Sequence, residues 1–137
     1  MAMRTFQSEF MRYLDKQGLK YQQKDDHLIR LGFNADNLTV ELFLLFDEDN
    51  DKYVTIRSYS IGNFPKNGRA KALLVCNEMN LKYKWAKFSL DKDNDIAVQA
   101  DAMVEIYSVG EYVTELCHRL VNIIDDAYPV FMRARWG

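Results

Sequence analysis

Two acidic runs have the spacing of a calcium loop. Asp47-Glu48-Asp49-Asn50-Asp51 and Asp91-Lys92-Asp93-Asn94-Asp95 each place side-chain oxygens at every second position. An EF-hand loop also needs glycine at its sixth position and a bidentate glutamate at its twelfth. Here Lys52 and Ile96 fill the sixth positions, and Ser58 and Ala102 the twelfth. Both runs sit between strand-like patterns, where Asp and Asn favour tight turns. They are read as hairpin turns, and no metal is expected.

Cys117 and His118 invite a nucleophile–base reading. Adjacent residues on a helix point about 100° apart, whereas a catalytic pair must meet within hydrogen-bond reach. His27 has no carboxylate or cysteine partner in its pattern. P-loop, dinucleotide, nucleophile-elbow and zinc-protease motifs are all missing. Cys76 and Cys117 each lie in an apolar helical pattern and read as small buried hydrophobes. The residues point to a non-catalytic chain without a cofactor.

Asn77 and Asn80 form the most unusual polar pair. Asn77 falls on an expected apolar stripe, where an unsatisfied amide would cost about 1–3 kcal/mol. Its amide is expected to bond exposed backbone of a neighbouring strand or loop, with ligand binding as the alternative. Asn80 is placed to end its helix.

The elements that position these residues follow from periodicity. Residues 4–17 read as a helix capped by Thr5, with Phe6, Phe10, Tyr13 and Leu14 on one stripe and Gly18 as terminator. The period then changes to two. Strands are expected over 27–34, 38–46 and 52–60, joined by short polar turns into a meander. A second helix spans 65–79, with Ala70, Leu73, Leu74 and Asn77 sharing a face. Strands at 83–91 and 95–104 follow. Ser108 and Glu111 match an S-x-x-E capping box for a last helix carrying Val109, Val113, Leu116, Leu120, Ile123 and Ala127. Pro129 should kink or break that helix near residue 125. The order is α-βββ-α-ββ-α: an α+β fold with a five-stranded antiparallel sheet packed by helices, one domain over residues 1–137.

Strand parity makes a further statement. With Leu42, Ile56, Phe88 and Val98 inward, Phe43, Leu45, Tyr53, Tyr59, Tyr83 and Trp85 point outward, with Arg57 and Lys87 beside them. Aromatics interspersed with cations are enriched at protein interfaces. These six residues are the candidate protein-binding set.

Bulk composition agrees. The 137 residues are 48% hydrophobic and 28% charged, and 18 basic residues face 20 acidic ones for a net charge of −2. Nucleic-acid binding draws its affinity from phosphate neutralisation and favours a basic excess, so that partner class is disfavoured. No run reaches the roughly 18 apolar residues of a membrane span, and the opening residues lack a signal peptide's apolar stretch. The cytoplasm is the expected compartment.

The stretch Leu73-Leu74-Val75-Cys76-Asn77-Glu78-Met79-Asn80, followed by Tyr83-Lys84-Trp85-Ala86-Lys87-Phe88, resembles the YbjN family of bacterial proteins. The run Ile124-Asp125-Asp126-Ala127-Tyr128-Pro129 is similar to the family's C-terminal end, and the likeness covers nearly the whole chain. It implies a fold like that of type III secretion chaperones, which are small, acidic, non-enzymatic dimers that hold partner proteins. It also implies a role in sensory transduction or stress regulation, and it supplies no catalytic residues. Two readings result. One is a homodimeric regulator or chaperone-like protein binding other proteins through the open sheet face and second helix. The other is a small-molecule sensor or enzyme with a pocket between sheet and helices, using Asn77, Tyr83 or His118.

Overall fold

The computed structural model describes residues 5–46 and 53–137. Helix α1 (Phe6–Gln17) begins at Thr5, whose hydroxyl accepts from Ser8 N while Ser8 Oγ accepts from Thr5 N. Gly18 ends it at φ +71°, a left-handed conformation that costs least without a Cβ. Phe10 and Leu14 are fully buried, and each such side chain contributes about 1.5–3 kcal/mol by leaving water.

The sheet has six strands where five were expected. They are β1 (Gln22–Gln23), β2 (Leu28–Asn34), β3 (Thr39–Phe46), β4 (Tyr53–Asn63), β5 (Lys87–Leu90) and β6 (Asp95–Met103), in the order β1-β2-β3-β4-β6-β5. All neighbours are antiparallel. The extra strand is a polar two-residue pairing, Gln22 with Arg30 and Gln23 with Ile29. Nothing apolar alternates there, so periodicity had no purchase on it. Strand β4 runs past its expected end through an irregularity between Ser58 and Gly62, which sits at φ +106°. There Ser60 Oγ accepts from Glu41 N at 2.8 Å, satisfying a β3 amide where β4 departs.

Helix α2 (Arg69–Lys82) follows a 3-10 turn at Lys66–Gly68. Its buried face is Ala72, Val75, Cys76 and Met79, not the expected Ala70, Leu73, Leu74 and Asn77. Leu73 is 46% and Leu74 65% exposed, and Asn77 is exposed as well, so no buried amide there needs a partner. Apolar residues on both faces made the stripe ambiguous. Nor does Asn80 end the helix, which continues to Lys82. Instead its side chain clamps β5, with Nδ2 donating to Phe88 O (3.0 Å) and Oδ1 accepting from Phe88 N (2.6 Å). The fourth expected strand, 83–91, is correspondingly shorter, because residues 83–86 make the connection.

Helix α3 (Val109–Trp136) is unbroken, with Pro129 inside it. Proline leaves the carbonyl four residues earlier without a helical donor. That carbonyl, Asp125 O, accepts instead from Asn37 Nδ2 at 3.1 Å, while Asp125 Oδ1 accepts from Asn37 N at 2.7 Å. The β2–β3 turn thus caps the gap from outside. Ser108 precedes the helix but makes no side-chain cap bond. The expected capping box is not built.

All three helices lie on one face of the sheet. They cover Ile29, Leu31, Val40, Leu42, Leu44, Val54, Ile56, Val98 and Ala100, all buried. Helices α1 and α3 meet at Gly110, where an added Cβ would stand 2.3 Å from the Tyr13 ring. Only glycine permits that approach.

Candidate protein-binding surface

The opposite sheet face carries no described element. Register places its residues in rows across the strands. Arg30, Phe43, Arg57, Gln99 and Lys87 form one row, Leu28, Leu45, Thr55 and Asp101 a second, and Tyr53 and Met103 a third. Polar residues on these rows bond to one another. The Arg57 guanidinium donates twice to Gln99 Oε1 (3.0 and 2.7 Å), Gln99 Nε2 donates to Asp101 Oδ2 (3.1 Å), and Thr55 Oγ1 donates to Asp101 Oδ1 (2.6 Å). Arg30 pairs with Glu41 at 3.0 Å, which holds the Glu41 carboxyl below the usual carboxylate range and raises the arginine.

The apolar members reach the surface of this face. Leu45 is 37% exposed, Tyr59 43% and Met103 81%. Phe43 is half-buried and Tyr53 exposed. Four of the six residues assigned outward by parity, Phe43, Leu45, Tyr53 and Tyr59, are therefore gathered on this face. Leu28 and Met103 join them. Their parity was legible, since Ile29 and Ala102 beside them point inward.

Tyr83 and Trp85 do not share it, because neither lies on a strand. Tyr83 follows the last residue of α2 and donates its hydroxyl to Asp126 of α3. Burial first, and then the Asp126 carboxylate, push its pKa up to about 12. Trp85 sits in the connection at φ +74°, rare for a bulky residue. It is 62% exposed, and with Tyr112, Glu115, Leu116 and Arg119 of α3 it borders a crevice of about 190 Å³.

The residues of the pocket reading do not converge. Asn77 is on the outer side of α2, Tyr83 bonds Asp126, and His118 is exposed, edge-on to the Phe33 ring at 5.5 Å. Cys117 is fully buried, and burial raises its thiol to about 12 and that of Cys76 to about 11. A cavity of about 370 Å³ does exist, but elsewhere, beside the first turn of α1.

The second acidic run folds as a hairpin turn. Asp91 Oδ1 accepts from Asp93 N and Asp95 N (both 2.9 Å), and Arg69 donates to Asp91 O and Asn94 Oδ1. The first run, residues 47–51, lies outside the described residues. Among the described residues no cluster of three or more His, Cys, Asp or Glu is arranged to hold a metal ion, and no helix is long and apolar enough to cross a membrane.

Comparison with curated proteins gave no match. Solved structures do match. The crystal structure of YbjN from E. coli superposes with a TM-score of 0.64 at 14% identity, covering 88% of this chain and 90% of that one. A chain of the ExoU–SpcU heterodimer from the type III secretion system of Pseudomonas aeruginosa gives 0.58 at 16% identity, covering 91% and 96%. A chain of the HopA1–SchA chaperone–effector complex gives 0.52 at 14% identity, covering 85% and 91%. At these identities the likeness establishes the fold, which is that of type III secretion chaperone complexes. The family model described as "Putative bacterial sensory transduction regulator" matches residues 8–130. With nine-tenths of its length matched by that model and its fold shared with the E. coli protein, this chain belongs to the YbjN family.

Proposed function

We propose that this chain is a non-catalytic, chaperone-like regulator that holds a protein partner on its open sheet face and pairs with a second copy through the outer face of α2. The observation that carries the reading is the uncovered patch of Phe43, Leu45, Tyr53, Tyr59 and Met103, with all three helices on the other side. Exposed rings beside arginines are the composition of interface centres. The family description and the chaperone–effector neighbour support the same reading. Two buried free thiols suit a reducing compartment, the cytoplasm.

Pairing through α2 rests on a symmetric spacing. Leu73 and Leu81 stand four residues either side of Asn77, and Leu81 is 82% exposed. A two-fold axis through Asn77 sets Leu73 of one copy beside Leu81 of the other. The asparagine amide both donates and accepts, so it can bond its own mate and fix the register.

Light scattering at micromolar concentration tests the pairing. The wild type is expected at twice the chain mass, and Leu73→Asp with Leu81→Asp at the chain mass with unchanged circular dichroism; a wild-type monomer rejects it. Affinity capture from a native lysate tests the sheet face. Leu45→Asp, still folded, is expected to lose a protein that wild type retains. Equal recovery by both removes the open face from the reading.

A further inference from the structure

Four parts of the fold converge at one end of the molecule. Arg69 donates to Asp91 O and Asn94 Oδ1 (3.0 and 2.8 Å), Asn63 Nδ2 to Asp93 O (2.8 Å), Arg135 to Asn63 O, and Lys71 Nζ to Gly137 O (3.3 Å). These bonds gather the start of α2, the β5–β6 turn, the end of β4 and the last turn of α3. Asn63 closes the eleven-residue β4 about 30 Å from Tyr53, so residues 47–52 adjoin the opposite end. Five cations of the two helix ends lie here: Lys66, Arg69, Lys71, Arg133 and Arg135. None of them forms an ion pair among the described residues. Of the neighbouring carboxylates, Asp91 Oδ1 accepts from two backbone amides and Asp95 Oδ1 from Asn63 Nδ2 (3.0 Å), which turns both inward. Arg133 and Arg135 suit the negative end of α3. Lys66 is exposed and stands against the positive start of α2, which has no acidic residue in its first turn and no side-chain cap. The Arg135 guanidinium lies 5.9 Å from the Phe64 ring and 4.7 Å from the exposed Trp136 ring, which fixes its plane.

We propose that this end of the molecule docks an acidic segment of a partner protein. Clustered arginines are a recurring receptor for acidic motifs, and a planar guanidinium matches a carboxylate with two parallel bonds. Met132 and Trp136 line an apolar crevice beside Arg133, and Trp with Arg is the composition of binding hot spots. A duplex or an anionic membrane presents a broad negative face, which would also press on the exposed carboxylate of Asp93. A narrow peptide lying across the two helix ends avoids it. The net charge of −2 opposes a broad polyanion in the same way. This end is separate from the open sheet face and does not depend on it.

Fluorescence anisotropy of a labelled, capped hexaglutamate peptide titrated with the full chain tests the proposal, with hexaglutamine as the neutral control. Saturable binding of hexaglutamate is expected, with hexaglutamine about tenfold weaker. Raising salt from about 0.05 M to about 0.5 M should weaken hexaglutamate about tenfold. Lys66→Glu with Arg133→Glu, both exposed, should weaken it about tenfold with unchanged circular dichroism. Lys16→Glu with Lys20→Glu makes the same change in net charge on exposed residues at the other end of α3, where Lys16 stands near Gly110, and should bind as wild type. Leu45→Asp should also bind as wild type, which separates this end from the sheet face. Absence of saturable binding, equal binding of hexaglutamine, or equal weakening by the two lysine and arginine pairs would overturn the site. Tighter binding of phosphatidylglycerol vesicles or of an oligonucleotide, lost in Lys66→Glu with Arg133→Glu, would overturn the acidic segment as its occupant.

Discussion

Asn80 shows how much one side chain can do at a sheet edge. β5 ends the sheet order, and Asn80 supplies both a donor and an acceptor to the Phe88 backbone. It acts as one further ladder residue contributed by a helix. Asn80→Ala leaves both Phe88 groups unanswered and is expected to lower unfolding free energy by about 1–3 kcal/mol in urea denaturation. An unchanged midpoint would mean that water replaces the amide without loss. The sequence flagged the pair as unusual but assigned the backbone bond to Asn77 and a helix-ending place to Asn80; the fold brings Phe88 beside Asn80 instead.

Among the elements, α3 is the most instructive. Its apolar periodicity was plain, as was the proline, yet the helix continues through residue 129. A donor from another element decides this, because Asn37 reaches the carbonyl that Pro129 leaves open. Asn37→Ala is expected to cost about 1 kcal/mol in the natural background. In a Pro129→Ala background Asp125 O regains its helical donor, and the same change should cost less. A double-mutant cycle on urea midpoints measures this; additive effects would show that the turn does not compensate the proline. For α2, apolar residues on two faces left local pattern unable to choose. Packing against β5 and α3 selected Ala72, Val75, Cys76 and Met79, and put Leu73, Leu74 and Leu81 outside.

At the scale of the whole molecule, burial of thiols and of Tyr83 links the core to pH. The folded-state values are about 11 for Cys76 and about 12 for Cys117 and Tyr83, above ordinary values of 9.0 and 10.0. The folded chain therefore holds these protons longer than the unfolded chain does. The stability they contribute is complete below pH 9.0 and declines as pH rises through 9.0 towards about 12. The urea midpoint is expected to fall between about pH 8 and about pH 10.5, and Cys76→Ala with Cys117→Ala to flatten that fall. A midpoint constant over the window would show that the thiols titrate normally.

Hydrophobic periodicity by itself determined the α+β class, the three helices, the main strands and the inward parity of Leu42, Ile56, Phe88 and Val98, because repeating burial leaves a repeating pattern. It also placed Phe43, Leu45, Tyr53 and Tyr59 on the far pleat. Tertiary structure alone decided the pairing of β1, the buried face of α2, the survival of α3 past Pro129, and the removal of Tyr83 and Trp85 from the sheet. The β1 pairing is local but polar, with Gln23 opposite Ile29, and others hang on a partner distant in sequence, such as Asn37 for Asp125 or Asp126 for Tyr83. Local pattern carries no information about which distant group will supply a missing hydrogen bond.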